Sequence, residues 1–276
     1  MTVTPARAST YPRVNVLGIG IHAVTMSTAV EAIAAAMAQG RKGYVCATGV
    51  HGVMEAQRDP ALRTIFARAL LVAPDGMPMV WMGRLRGFRH MRRVYGPDLM
   101  LAVFGDPALQ GCSHLLYGGD YGVAEQLREC LLQRFPSANI VGTYTPPFRP
   151  LNQDESAELC EMIERLRPDI IWIGLSTPKQ ERFMAEYLPR LRTTLMIGVG
   201  AAFDYHTGRL RDSPLWVKQC GLQWLHRLLQ EPRRLWRRYL INNPLFLVQA
   251  GLQLTGMRRF DLSPEQSQQL SLAEEA

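Results

Sequence analysis

The chain has little lysine and no long apolar run, and both shortages limit what it can be. Only three of its 31 basic residues are lysine. Arginine, whose forked guanidinium can bind phosphate oxygens in pairs, therefore supplies nearly all of the positive charge. No apolar run reaches the roughly 18 residues that a membrane-spanning helix needs, so we expect no such helix. The first residues lack the apolar core of a secretory signal, so we expect no such signal.

Cysteine and aspartate spacing argues against two kinds of metal site. The five cysteines include no C-x-x-C pair, so we predict neither a disulfide framework nor a zinc site, and a reducing cytosol is the simplest setting. The chain also has no D-x-D pair, although such carboxylates often hold Mg²⁺ beside a nucleotide diphosphate. Without a metal, arginines must neutralise an anionic ligand.

The positive charge is concentrated near the C-terminal end. Residues 206–260 contain ten basic residues and only two acidic ones, while the net charge of the whole chain is +7. A local charge excess predicts a local anionic partner, such as phosphate, nucleic acid or anionic lipid. Three tryptophans interleave with these basic residues, but no nucleic-acid motif is present, so we predict no binding of nucleic acid.

Strand and helix patterns alternate as far as about residue 205. Short apolar runs such as Asn139–Tyr144 and Ile170–Gly174 are bounded by turn residues and predict strands. Their alternation with helical patterns predicts an α/β fold, a mostly parallel Rossmann-like sheet with helices on both faces. The spacing of Thr28 and Glu31 is typical of a capping box and predicts that the first helix opens there.

Beyond residue 205 the pattern is helical, and Pro214, Pro232 and Pro244 predict the starts of three helices. The last helix is apolar, too short to span a bilayer and flanked by arginines, which suits a helix at a membrane interface. A non-catalytic basic module that only binds membranes is compatible with this pattern. The predicted parts are a disordered leader at 1–12, an α/β domain holding the site at 13–205, a helical arginine-rich appendage at 206–260 and a flexible acidic tail at 261–276.

The main candidate site lies around Asp75. An apolar strand at 70–73 ends in P-D-G before a helical pattern, which puts one carboxylate where open α/β sheets bind ligands. Spacing alone leaves two hypotheses open, a helix N-cap without chemistry or a general base. Arg93 follows in the block R-V-Y-G-P-D-L, which also holds Gly96 and Asp98, and we expect it to help hold an anionic substrate.

Two other predicted strand ends carry weaker candidates. Thr48 and His51 follow the second strand of the pattern, and Gly118 ends another strand in G-G-D. Thr48 could donate a hydrogen bond to a substrate, although threonine is common in turns. A lone histidine such as His51 is more often structural than functional.

Two later strand ends carry the remaining candidates. Gln180 and Glu181 lie in P-K-Q-E, where a helix opens. Gln180 offers both a donor and an acceptor, as recognition of a uracil ring or a sugar requires. Glu181 is equally explained as the acidic residue that a helix dipole favours. Gly200 and Asp204 lie in G-V-G-A-A-F-D, which indicates close backbone approach to a ligand and a carboxylate for sugar or ribose hydroxyls.

A second hypothesis for the chain is an NAD-dependent oxidoreductase. Residues 18–23 match the G-x-G-x-x-A dinucleotide fingerprint. We reject this hypothesis for two reasons. The helix after these glycines is predicted to open only at Thr28, and no acidic residue follows the second strand to bind a ribose.

Seven ordered sequence blocks resemble the WecG/TagA/CpsF family of bacterial glycosyltransferases (glycosyltransferase family 26). They cover roughly residues 13–245 and read A-P-D-G-M-P, R-V-Y-G-P-D-L, L-Y-G-G, P-P-F, T-P-K-Q-E, G-V-G-A-A-F-D and G-L-Q-W-L-H-R-L-L-Q-E-P-R-R-L-W-R-R-Y. The resemblance implies inverting, metal-independent transfer of a sugar from a UDP-sugar to a polyprenyl-diphosphate-linked sugar. UDP-glucose, UDP-N-acetylmannosamine and UDP-N-acetylmannosaminuronate all fit it.

The resemblance also assigns roles to residues of this chain. It implies that Asp75 is the general base, that Arg93 acts beside it and that Gln180 lies in the site. Thr48 stands where the family usually has asparagine. The resemblance further implies an arginine-rich appendage that closes over the site through Arg227, Arg234 and Arg237.

The same resemblance implies partners and a location. The expected partners are the UDP-sugar donor, the lipid-linked acceptor and an anionic membrane surface, and no cofactor is expected. The expected location is peripheral, on the cytoplasmic face of the inner membrane, during exopolysaccharide or other cell-surface polysaccharide assembly. A homo-oligomer is compatible with all of these expectations.

Overall fold

The structure is a computed structural model that describes residues 11–262. Except for residues 11–12 and 261–262, the predicted leader (1–12) and tail (261–276) lie outside the described residues. The strands are β1 Arg13–Val16, β2 Ile19–His22, β3 Gly43–Thr48, β4 Leu71–Pro74, β5 Ser113–Gly118, β6 Asn139–Tyr144, β7 Ile170–Gly174 and β8 Leu195–Gly198.

Helices separate most of these strands and continue after the last one. Those up to residue 206 are α1 Met26–Ala38, α2 Val50–Arg58, α3 Pro60–Arg68, α4 Met77–Leu85, α5 Gly96–Gly105, α6 Val123–Arg134, α7 Gln153–Leu166, α8 Lys179–Tyr187 and α9 Ala202–His206. Those that follow are α10 Leu215–Gln219, α11 Gln223–Gln230, α12 Pro232–Leu240 and α13 Asn242–Leu254.

Six strands form one parallel sheet in the order β4-β3-β8-β7-β5-β6. Its central strands are apolar on both faces because helices cover both. In β7, Ile171 and Ile173 join the core on one face, whereas Ile170 and Trp172 join the core on the other, as the alternation of a strand requires. The predicted α/β fold with a mostly parallel, Rossmann-like sheet is confirmed.

The strand order also determines where a site can form. The neighbouring strands β4, β3, β8 and β7 all end at the same edge of the sheet. The segments that follow them contain Asp75, His51, Gly200 and Gln180 respectively. Residues far apart in the sequence are therefore brought to one edge, which is where parallel sheets bind ligands.

The glycine-rich segment near the start of the chain forms a hairpin. Strands β1 and β2 pair antiparallel, and Gly18 lies between them with a φ of 79°. A dinucleotide fingerprint needs a glycine turn that runs from a strand directly into a helix. Here the second glycine lies inside β2, so this observation agrees with the rejection of the oxidoreductase hypothesis.

The first helix begins earlier than the sequence pattern predicts. Its N-cap is Thr25, and α1 starts at Met26. The Thr28 amide donates to the Thr25 hydroxyl at 3.3 Å, and the Thr25 amide donates to the Thr28 hydroxyl at 2.8 Å. The prediction that Thr28 opens the helix with Glu31 is wrong because Thr28 fills the third position of this reciprocal cap. Glu31 accepts a hydrogen bond from Ser27 instead.

The helices after residue 206 also differ from the prediction. Pro214 precedes α10 and Pro232 begins α12, as predicted, but α13 begins at Asn242 rather than at Pro244. A further helix, α11, which was not predicted, lies between α10 and α12. Within residues 11–262 no helix is both long and apolar enough to cross a membrane. The division into a domain at 13–205 and an appendage at 206–260 stays a prediction.

Side-chain hydrogen bonds attach α13 to the body of the protein. Gln253 accepts from the Leu17 amide at 3.1 Å and donates to the Asn15 carbonyl at 3.2 Å. Phe246 and Ala250 are buried in the core beside the hairpin. Because α13 is held in this way, α11 and α12, which precede it, are held beside the sheet edge where the four strands end.

Candidate active site

A cavity of about 390 Å³ lies at the edge where these four strands end. Residues of α10 to α13 line its other side. Of the residues singled out from the sequence, the structure brings six to its wall. They are His51, Asp75, Arg93, Gln180, Gly200 and Arg227.

Asp75 lies directly after β4 and does not cap the helix that follows. The N-cap of α4 is Gly76, so the hypothesis that Asp75 is a helix cap is wrong. Its amide donates to the Thr48 carbonyl at 3.0 Å, which continues the pairing of β3 with β4 by one residue. Oδ1 of Asp75 is buried and has no hydrogen-bond partner among residues 11–262. Nη2 of Arg93 lies 3.6 Å from it.

The surroundings of Asp75 make it titrate near neutral pH. Burial raises the pKa of its carboxyl group to about 6. The positive charge of Arg93 opposes this rise most strongly, followed by a hydrogen bond from the Gly96 amide. A carboxylate with such a pKa can accept a proton from a substrate at neutral pH more effectively than an ordinary aspartate.

The Arg93 side chain is fixed by contacts on several sides. Its Nε donates to the Asp75 carbonyl at 2.9 Å, and its Nη2 donates to the Gln223 side chain of α11. The guanidinium carbon lies 4.2 Å from the centre of the Tyr95 ring. Arg93 therefore joins the end of β4 to α11 and keeps a positive charge beside Asp75.

Gln180 is oriented by a network behind the cavity wall. Its Oε1 accepts from the Gly200 amide at 3.0 Å, and its Nε2 donates to Glu181 Oε1 at 3.1 Å. The same Glu181 oxygen accepts from the Thr177 hydroxyl at 2.8 Å. Glu181 is fully buried, and this burial raises its pKa. Glu181 therefore positions Gln180 rather than lining the cavity.

Two arginines of the C-terminal helices face the cavity with unused donors. The Nε atoms of Arg227 and Arg238 are both buried, and neither has a hydrogen-bond partner in the described part of the chain. Arg227 on α11 lies 5.6 Å from the Tyr205 ring centre. Buried polar groups are rarely left without partners, so these donors indicate a place for an anionic ligand.

Arg238 belongs to the arginine-rich segment that was predicted to neutralise an anionic ligand, but the resemblance assigned the site to Arg227, Arg234 and Arg237. The structure places Arg234 and Arg237 in a neighbouring recess instead. Pro232 begins a separate helix, α12, so the arginines of α11 and α12 do not share one continuous helical face. Of the α12 arginines, Arg238 lines both spaces.

His51 lies in the cavity wall as a neutral imidazole. Burial and the nearby charge of Arg238 lower its pKa to about 3. Its Nδ1 lies 3.2 Å from the side-chain amide nitrogen of Asn242, and the neutral ring accepts this hydrogen bond. His51 thereby connects α2 to α13 at the edge of the cavity.

The other residues singled out from the sequence do not line this cavity, but Thr48 and Gly96, like Glu181, support the residues that do. Thr48 is buried and its carbonyl holds the Asp75 amide. Gly96 opens α5, and a Cβ there would lie 3.0 Å from the Val199 carbonyl oxygen. Glycine at this position lets the backbone of α5 pack closely against Val199, and its amide donates a hydrogen bond to Asp75.

The remaining three also lie outside the cavity wall. Asp98 is exposed in the first turn of α5, where it suits the helix dipole. Gly118 has a φ of 134°, and a Cβ there would lie 2.7 Å from the Gly174 carbonyl oxygen. The end of β5 beside β7 therefore requires glycine at position 118. Asp204 lies in α9, where burial raises its pKa and the Arg227 charge opposes that rise.

Sequence reasoning missed several residues of the cavity wall. Tyr95 and Gln223 both contact Arg93, and Tyr205 lies under Arg227. All three lie within or beside blocks that had already been singled out. They could have been found by looking for aromatic and amide side chains next to the predicted site residues, because such side chains often orient a guanidinium.

Comparisons with known proteins found one matching family and similar enzymes. The sequence model of the glycosyl transferase WecG/TagA/CpsF family matches residues 14–259. The chain is similar to an N-acetylglucosaminyldiphosphoundecaprenol N-acetyl-beta-D-mannosaminyltransferase of Bacillus subtilis, with 28% identity over 64% of this chain and 66% of that protein. A protein of the same name from Bacillus spizizenii is 27% identical over 67% of this chain and 70% of that protein. The chain thus spans about two thirds of the length of these relatives.

Proposed function

The chain belongs to the WecG/TagA/CpsF family of glycosyl transferases, and from that premise we propose that it transfers a sugar from a UDP-sugar to a polyprenyl-diphosphate-linked N-acetylglucosamine. The names of the two Bacillus relatives state transfer of N-acetylmannosamine to such an acceptor. UDP-N-acetylmannosamine is therefore the first donor to test, followed by UDP-glucose and UDP-N-acetylmannosaminuronate. We place the reaction in bacterial exopolysaccharide or other cell-surface polysaccharide synthesis.

One observation carries the proposal. An ionisable carboxylate, Asp75, lines the same cavity as Arg227 and Arg238, whose buried Nε atoms have no hydrogen-bond partner within residues 11–262. The Nε of Arg227 lies 3.6 Å from a carboxylate oxygen of Glu231, too far for a hydrogen bond. A base beside arginines with unused hydrogen-bond donors supports a reaction in which a hydroxyl is deprotonated while an anionic group leaves.

In the proposed reaction Asp75 accepts the proton of the acceptor hydroxyl as its oxygen attacks the anomeric carbon of the donor sugar. The new carbon–oxygen bond forms as the bond to the UDP oxygen breaks, and UDP leaves with the bonding electron pair. This single displacement inverts the anomeric centre. Arg93, Arg227 and Arg238 neutralise the diphosphate as it leaves, so the mechanism needs no metal. Gln180 and Gly200 hold the nucleotide-sugar.

Release of UDP from each candidate donor tests this function. We expect release that depends on the lipid-diphosphate-linked N-acetylglucosamine and continues in the presence of EDTA. Inverted stereochemistry of the product would support single displacement. A requirement for Mg²⁺ would contradict the metal-independent mechanism, and absence of transfer with every donor would contradict the function itself.

The pH profile of kcat/KM should report the carboxylate base. Because the base must be ionised and the pKa of Asp75 is about 6, we expect kcat/KM to be constant well above pH 6. Below pH 6 it should fall about tenfold per pH unit. Steady-state rates at about half-unit pH intervals measure this limb. A rate that stays constant down to about pH 4.5 would contradict the role of Asp75.

Replacing Glu181 tests the network behind Gln180. Glu181→Leu removes the acceptor for Gln180 Nε2 and the Thr177 hydroxyl, so we expect the KM for the donor to rise about tenfold, as for one lost hydrogen bond. Glu181→Gln keeps an acceptor oxygen at this position and should stay within about threefold of the wild type. Equal donor KM values for the two variants would contradict the positioning role.

We also propose that the protein binds the cytoplasmic face of the inner membrane as a peripheral protein. Large apolar side chains on the helices after residue 206, and between α12 and α13, are exposed beside arginines, a combination that favours anionic lipid surfaces. They include Leu215, Trp216, Leu229, Trp236, Leu240, Ile241, Leu247 and Val248. A homo-oligomer stays a prediction.

Flotation with vesicles of anionic lipid tests the membrane surface. Leu229 and Val248 are 74% and 61% exposed, so the double change to glutamate should lower the bound fraction at least fivefold without unfolding the protein. Binding by the wild type should weaken as salt is added. Phe148→Glu is the matched control, because Phe148 is 85% exposed in the loop between β6 and α7. An equal loss in the control would contradict the proposed surface.

A further inference from the structure

A second recess lies beside the cavity and has arginines of its own. It has a volume of about 520 Å³, and it is lined by Arg58 of α2 and by Arg234 and Arg237 of α12. His51, Ser176 and Arg238 line both spaces. The two spaces are therefore neighbours that share one wall.

The charges around this arginine recess are not balanced. Arg58 lies 3.3 Å from Glu55, and Arg234 lies 2.7 Å from Glu231. In contrast, Arg237 and Arg238 have no carboxylate within ion-pair distance among the described residues. The recess therefore has about two positive charges without counter-charge, and the Nε of Arg238 also lacks a hydrogen-bond partner there. An anionic ligand carrying two charges would balance it.

The rim of the recess is apolar on one side. Ile241, between α12 and α13, lines the recess and is 49% exposed. Its neighbours Leu240, Leu245 and Val248 are also exposed apolar residues. The recess therefore has arginines inside and an apolar surface at its opening. This arrangement matches a ligand with an anionic head and an apolar chain. A free nucleotide has no apolar chain that could occupy the rim of the recess.

The chemistry of the proposed acceptor requires a second anion site beside the first. The lipid diphosphate is attached to one carbon of the acceptor sugar, and the attacking hydroxyl is on another carbon of the same ring. When that hydroxyl is beside Asp75, the acceptor diphosphate must lie about one sugar ring away from it. The donor diphosphate also needs arginines, and two diphosphates in one compartment would repel each other.

We infer that the arginine recess binds the diphosphate of the lipid-linked acceptor, whereas the first cavity binds the diphosphate of the nucleotide donor. This inference rests on the proposed function. Arg58 and Arg237 serve the acceptor, Arg93 and Arg227 serve the donor, and Arg238 lies between the two anions. The apolar rim receives the first part of the lipid chain.

The test uses the full chain and an N-acetylglucosamine diphosphate whose short alkyl chain keeps it in solution without vesicles. For Arg58→Gln and Arg237→Gln we expect the KM for this acceptor to rise at least tenfold, while the KM for the donor and the Kd for UDP stay within about twofold. Arg237→Lys keeps the charge and should recover part of the loss. Arg233→Gln is the matched control, since Arg233 is exposed on the same helix and lines neither space.

The outcomes separate this inference from the proposed function. A rise in donor KM equal to that in acceptor KM would overturn it, and so would an unchanged acceptor KM. A defect that appears only with vesicles would also overturn it, because the arginines would then bind the membrane surface. Direct calorimetric binding of the soluble acceptor to the wild type and to both variants serves as an independent readout. If the wild type binds the acceptor through these arginines but transfers no sugar, the proposed function alone fails.

Discussion

Asp75→Asn is expected to lower kcat by about 10² to 10⁴-fold, the range typical of a lost general base. Asparagine has nearly the same shape and keeps an oxygen that can accept from the Gly96 amide, but it cannot take a proton. The Kd for the donor should therefore stay within about twofold. Single-turnover rates and calorimetric binding of the UDP-sugar measure the two quantities separately. Near-normal turnover would contradict the assignment of Asp75 as the base.

Loss of activity in this variant should not come from unfolding. The pKa of Asp75 is raised to about 6 in the folded protein, so the folded state binds its proton more tightly than the unfolded state does. Above pH 6 the ionised carboxylate therefore destabilises the fold, and this penalty disappears as the pH falls toward 4. We expect Asp75→Asn to melt at an equal or higher temperature than the wild type at pH 8, with a smaller difference at pH 5.

A matched carboxylate elsewhere controls for the general effect of the substitution. Asp154 is exposed in the first turn of α7, far in sequence from the cavity residues. Asp154→Asn should keep kcat within about twofold of the wild type. Because both changes remove one negative charge, a difference between them reports the position of the carboxylate and not the net charge of the protein.

The parallel sheet could be predicted closely because turn residues mark both ends of its strands in the sequence. Asn139–Tyr144 and Ile170–Gly174 are strands with the predicted bounds, since each is a short apolar run between turn residues. Once the sheet is parallel, the ends of its strands meet at one edge. That rule alone brings Asp75 and Gln180 together, although more than one hundred residues separate them in the sequence.

The direction of each side chain at that edge could not be predicted in the same way. Thr48 and Glu181 lie at the ends of the same two strands as His51 and Gln180, yet neither lines the cavity. Which side chain points into the cavity depends on the exact turn after each strand. The N-cap hypothesis for Asp75 also needed the backbone, because Gly76 takes that position.

The arginines after residue 206 show a second limit of sequence reasoning. A periodic pattern assigns residues to one face only while the helix is continuous. Pro232 ends that continuity: Arg227 of α11 lines the cavity, Arg234 and Arg237 of α12 line the recess, and Arg238 lines both. The charge excess predicted an anionic ligand, but the division of these arginines between two spaces depends on how α11 and α12 pack.

Arg227→Gln is expected to lower kcat by about 10² to 10³-fold, as for the loss of one preorganised donor to a developing negative charge. Arg227 lies over Tyr205 with its Nε buried and without a hydrogen-bond partner among residues 11–262. The donor already carries a charged diphosphate before the reaction, so the donor KM should also rise, but less than kcat falls. Arg227→Lys should recover only part of the rate, because an ammonium cannot make the forked contact.

The pH profile of this variant distinguishes loss of an anion contact from a general disturbance. The charge of Arg227 lowers the pKa of Asp75, so removing it should move the acidic limb of kcat/KM to higher pH. Arg233→Gln removes an equal charge from an exposed position on α12 and should shift neither the limb nor kcat. A rise in donor KM with an unchanged kcat would mean that Arg227 binds the donor and the transition state equally, which would contradict its role in stabilising the departing UDP.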